Sequence, residues 1–146
     1  MILYRPGRRA PLGEFGIDIP SSPDKIGRVL NALKSHEVLG PLVDRWLIGA
    51  DDSVVTREDL LRTHSPEYVG KLFSDQVEEV LIKVFELVDK DGNYNRYDPA
   101  KAKRPLSGMF DRSLRGLAGT YQACEVALET GFCFYLAGGG HHAHRD

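Results

Sequence analysis

The chain has 146 residues, 42% of them apolar and 27% charged, with a formal net charge of −2. That length supports one core, and the balance is that of a globular protein, not a disordered one. Nothing in the near-neutral charge points to nucleic acid or an anionic membrane surface as the main partner. No apolar run approaches the roughly 20 residues of a membrane span, and the start of the chain carries no secretory signature.

Met1 to Tyr4 reads as a short strand, and Pro6 to Pro20, rich in Gly, Pro and charge, as loop. Ser22 and Pro23 predict an N-cap and first helical residue. Ile26, Val29, Leu30 and Leu33 then fall on one helix face. Residues 38–48 are apolar but irregular, interrupted by Gly40 and Pro41, and Val54-Val55 reads as a short strand. Thr56 and Asp59 predict a capping box opening a helix to about Arg62. Ser65-Pro66 predicts a second helix start, to about Phe73.

Val77, Val80, Leu81, Val84, Phe85 and Val88 predict the cleanest amphipathic helix in the chain. Lys90 to Pro105 is polar, with a turn at Asp91-Gly92-Asn93. Leu114, Leu117, Tyr121, Cys124 and Leu128 share one side of a further helix, which Gly131 stops. Phe132 to Ala137 predicts a last strand, running into Gly138, Gly139 and Gly140 and then His141 and His142. Helix, turn, strand and glycine turn form an α/β phrase with function at the carboxyl end of the strand. The two cysteines, Cys124 and Cys133, are expected as buried free thiols, in keeping with a reducing cytoplasm.

The candidate chemistry centres on His141 and His142. After a glycine turn both rings can converge on one pocket, one taking a proton from an attacking water and the other holding the developing oxyanion. An exposed polar end is the alternative. His141, His142, His144 and Asp146 also have ligand chemistry for zinc, although so short a segment suits adventitious binding better than a native site. His64, before a helix cap, reads as a packed histidine. Asp98, in Tyr97-Asp98-Pro99, reads as a turn residue. Lys101, Lys103 and Arg104 read as a solvated face.

Ala137-Gly-Gly-Gly-His-His-Ala143 resembles the tandem-histidine motif of the histone deacetylase family, zinc-dependent amidohydrolases of the arginase/deacetylase fold. Leu117 to Phe134 resembles the helix and strand ahead of that motif. Thr63-His-Ser-Pro-Glu-Tyr-Val69 resembles an early family segment, and Ser22-Pro-Asp-Lys-Ile-Gly-Arg28 its N-terminal helix, with Asp and Lys for the usual Glu and Arg. The resemblance implies a partial arginase/deacetylase-like three-layer α/β fold, a parallel sheet with flanking helices, and residues 1–146 as a single, incomplete domain.

It also implies roles at the matching positions. His142 is the general base and acid, His141 orients and stabilises, Asp98 is a substrate-binding aspartate at the pocket rim, and Gly139 and Gly140 line the approach to the acyl channel. The family's zinc ligands, an Asp-x-His strand end and a second Asp, and its carbonyl-polarising tyrosine follow the tandem histidines and have no counterpart in this sequence. The expectation is therefore a truncated domain: zinc belongs to the intact family domain, and none is held by this chain alone. The implied reaction is hydrolysis of the N-acetyl amide of lysine or a polyamine-like amine, with this chain inactive by itself. Two other readings remain open. One is a non-catalytic association module, a homo-oligomer through an open sheet edge or a complex with a partner supplying the missing half. The other is a metal-binding tail on an unrelated domain.

Overall fold

The structure is a computed structural model that describes residues 1–5, 11–20 and 24–136. The described residues form two compact units: residues 1–5, 24–54 and 115–136, and residues 11–20 and 55–114.

The first unit is α/β. Its strands are β1 (Ile2–Tyr4), β2 (Leu47–Gly49) and β3 (Phe134–Tyr135), in the order β2-β1-β3. Both pairings are parallel, with Leu3 in register with Ile48 on one side and Tyr135 on the other. Parallel neighbours require crossovers of a dozen residues or more. The segment after β1 supplies α1 (Lys25–Lys34) and α2 (Val43–Trp46), and the 23 residues of α6 (Gly108–Thr130) lead to β3. Leu3, on the central strand, is fully buried, as a strand flanked on both sides should be. The ladder extends past the strands: the Ala50 N–H donates to the Tyr4 carbonyl at 2.9 Å and the Leu136 N–H to that of Leu3 at 3.0 Å. Gly131, at φ 84°, stops α6, and its N–H donates to the Ala127 carbonyl at 2.8 Å.

The second unit contains α3 (Arg57–Leu60), α4 (Pro66–Leu72), α5 (Val77–Val84) and the first residues of α6. Both predicted caps are present. Thr56 and Asp59 form the full reciprocal box, and Ser65 Oγ accepts from the Tyr68 N–H at 3.2 Å. One core joins Phe15, Ile17, Val77, Leu81, Leu87, Leu106 and Met109; a second joins Leu60, Val69, Leu72 and Leu114, and Phe110 packs against both.

Several sequence expectations are corrected. Residues 38–48 resolve into a turn over Gly40–Leu42, then α2 and β2. The strand β2 was masked by its short length and by the helical spacing just before it. Val54-Val55 forms no strand; Val55 instead packs on the Leu60 core. The helix from Val77 ends at Val84, not Val88. Glu86 turns to φ 51°, so that the Leu87 N–H reaches the Ile82 carbonyl and Leu87 is fully buried. Of the predicted side of α6, Leu114 is buried in the second core, whereas Leu117, Tyr121, Cys124 and Leu128 face solvent, with Leu128 88% exposed. The buried residues between Leu117 and Leu128 are Ala118, Gly119 and Ala123. Small side chains let the backbone approach its neighbours closely, a signal that a count of large apolar residues passes over. Cys124 is accordingly exposed and Cys133 half-buried, against the expectation of buried thiols. Ser22 and Pro23 lie outside the described residues, and α1 follows Asp24.

Candidate functional site

Among the sequence-predicted site residues, Asp98 is described; His141, His142, Gly139 and Gly140 lie outside the described residues. The approach to them is described as far as Leu136. Strand β3 delivers the chain at the carboxyl end of a parallel sheet, the end at which open α/β folds bind ligands.

Asp98 sits in the second unit, on a short antiparallel ribbon. The Asp18 N–H donates to the Arg96 carbonyl and the Asp98 N–H to the Gly16 carbonyl, each at 2.8 Å, with Ile17 bridged to Tyr97 between them. Gly16 holds φ 77°, and the Asp98 carbonyl occupies the place a Gly16 Cβ would take. A residue without a Cβ is required there. The Asp98 carboxylate then caps the turn Pro99–Lys101: Oδ1 accepts from the Ala100 N–H at 3.0 Å, and Oδ2 lies 3.2 Å from Lys101 Nζ. Both the turn role read from Asp-Pro and the local reason for it are therefore visible.

The Lys101 hydrogen bond, ahead of the Ala100 N–H, holds the Asp98 carboxyl below the ordinary aspartate value of 3.8. A depressed carboxyl contributes stability above its unfolded value, and that contribution is lost as pH falls through the folded one. At neutral pH Asp98 is an anion with acceptor capacity to spare. A cleft of about 390 Å³ opens beside it, walled by Asp18, Arg96, Asp98 and Lys101 over the Gly13 and Gly16 backbone. Two carboxylates and two cations make it charge-balanced, suited to groups that both donate and accept hydrogen bonds. Arg96 holds φ 56°, an uncommon state for a side chain of its size. Nothing in its residue type announces this; Gly16, between Phe15 and Ile17, was the signal that could have pointed to the ribbon.

His64 makes a tilted ring contact with Tyr68, centroids 5.2 Å apart, in keeping with a packed histidine at a helix junction. Among the described residues no three His, Cys, Asp or Glu side chains converge on a metal-sized point, so these residues offer no ligand set for zinc. Nor is any helix among them long and apolar enough to cross a membrane.

A family model described as the histone deacetylase domain matches residues 19–146. No curated protein and no solved structure matches the chain. The matched span includes β2, β3, Asp98 and the tandem histidines, whereas β1, to which both outer strands pair, precedes it.

Proposed function

This chain belongs to the histone deacetylase family, and we propose that it contributes the proton-transfer pair of a deacetylase site acting on N-acetyl amides of lysine or a polyamine-like amine. The observation that carries the reading is the family match over residues 19–146, which runs through His141 and His142. The sheet supports it, since β3 leads toward these residues at its carboxyl end.

In this reading His142 takes a proton from the water that attacks the acetyl carbonyl and returns it to the departing amine. His141 orients that water and supports the charge that develops. Gly139 and Gly140, without side chains, leave room for the acyl group. Asp98 accepts a hydrogen bond from the substrate's N–H groups, a role its ionised and half-exposed carboxylate suits. Where the family domain holds zinc, the ion would supply Lewis-acid polarisation of the carbonyl; the described residues of this chain offer no ligand set for it. The chain alone is proposed to be inactive.

Two measurements test this. The first is zinc analysis of the dialysed chain beside the His141→Ala/His142→Ala variant. Equal zinc in both supports the proton-transfer assignment; one zinc per chain, lost in the variant, makes the histidines ligands and overturns it. The second is a fluorogenic acetyl-lysine assay with added zinc. Silence is the expected result. Turnover abolished by His142→Ala overturns the inactivity and supports the histidine role, and turnover that survives the substitution overturns both.

A further inference from the structure

Among the described residues, three buried polar atoms of the first unit have no hydrogen-bond partner: Arg5 Nε, Arg5 Nη1 and the Tyr135 hydroxyl. Buried donors are almost always satisfied, because an unpaired one bears its whole desolvation penalty, and a charged one bears more. The third guanidinium nitrogen relieves the charge only in part. Nη2 reaches the Ser53 carbonyl at a long 3.4 Å and stands 3.9 Å from Asp51 Oδ1. That oxygen already accepts from both the N–H and the hydroxyl of Ser53. The Arg5 side chain is only 12% exposed, so water does not complete its shell.

The orphaned atoms belong to one place in the fold. Tyr135 is in register with Leu3, and residues two apart along a strand share a face, so the line of Leu3 carries Arg5 on the same side as Tyr135. Helix α6 closes that side. The Tyr135 ring and hydroxyl fill the space that a Cβ at Gly119 would need, and Gln122 Oε1 accepts from the Asp51 N–H at 3.1 Å. Gly119 and Gln122 are three residues apart, neighbours on one helix face. Arg5 also follows the last residue of β1, at the carboxyl end of a parallel sheet.

We infer that Arg5 and Tyr135 form a subsite for a small carboxylate, a function separate from the proton-transfer pair. A carboxylate has only acceptors, and all three orphaned groups can donate. Its planar oxygens match a guanidinium, with charge-assisted bonds stronger than neutral ones. Charge decides between oxoanions. One guanidinium, partly offset by Asp51, balances a single negative charge, whereas a phosphate dianion would leave excess charge in a buried place.

The test is the thermal unfolding midpoint of the chain titrated with sodium formate or acetate, against sodium chloride and inorganic phosphate at matched ionic strength. A saturable rise with the carboxylates, beyond chloride and phosphate, is expected. Arg5→Met abolishes it, and Tyr135→Phe weakens apparent affinity about tenfold or more, the loss of one hydrogen bond to a charged acceptor. Arg5→Lys keeps the charge and the stem but not the fork, guarding against a fold defect in Arg5→Met; it weakens affinity at least about tenfold with the circular dichroism spectrum unchanged. His142→Ala retains the full response, which separates this subsite from the deacetylase reading. No excess over chloride, a preference for phosphate, or an undiminished response in Arg5→Lys overturns the inference.

Discussion

At Gly16 a single missing methyl group decides how the ribbon around Asp98 is built. Two demands meet there, a left-handed backbone at φ 77° and the Asp98 carbonyl standing where a Cβ would be. Gly92 shares the first demand, at φ 84°, but has open space around it. Alanine at Gly92 therefore meets only the left-handed cost of about 1–2 kcal/mol. Alanine at Gly16 adds a clash with backbone, which has no rotamer to move to, and is expected to cost about 3 kcal/mol or more. Urea denaturation of the two variants checks this; equal losses would mean that the Asp98 contact carries no weight. The local role of Asp98 as a turn cap was legible, because Asp before Pro has few other uses. Its closeness to Asp18 and Arg96 was not, since about 80 residues separate the two edges of the ribbon and nothing local encodes their pairing.

Among the elements, starts were easier to read than stops. Thr56 with Asp59 and Ser65 with Pro66 announced α3 and α4 because a cap is a local bond between near neighbours. The end of α5 carries no such mark. Phe85 closes the helix, Glu86 adopts φ 51°, and the Glu86 and Leu87 N–H groups reach the Lys83 and Ile82 carbonyls at 3.1 and 2.9 Å. This is the Schellman arrangement, which ordinarily recruits glycine. Glutamate is driven into it by the burial of Leu87 and by the Val88–Tyr94 bridge that follows. Relieving that strain by Glu86→Gly is expected to raise stability by about 0.5–1 kcal/mol, despite the added freedom of the unfolded chain. A lower denaturation midpoint in the variant would show that the glutamate is not strained there.

For the whole molecule, the distribution of apolar weight is uneven. Leu87 is fully buried in a core of seven residues, whereas Leu128, of the same type and on the predicted apolar side of α6, is 88% exposed. Leu87→Ala is expected to cost about 2–5 kcal/mol through lost burial and the cavity left behind. Leu128→Ala is expected to change stability by no more than about 0.5 kcal/mol. Calorimetry on the two variants tests the contrast, and comparable losses would place Leu128 in an interface of the protein in solution.

The sequence by itself determined the local and the periodic: the capped helices, the glycine stop of α6, an α/β chain and, through the run Gly138 to His142, the family. These are readable because each rests on residues a few positions apart. Only the tertiary structure decided that β1 takes the middle of the sheet between strands more than 40 and 130 residues away. It also turned Leu117, Tyr121 and Leu128 of α6 outward and Ala118 and Ala123 inward, and it brought Arg5 and Tyr135 to one face of the sheet with donors unpaired among the described residues. Periodicity marks two faces of a helix or strand. Which of them is covered depends on what the rest of the chain brings against it.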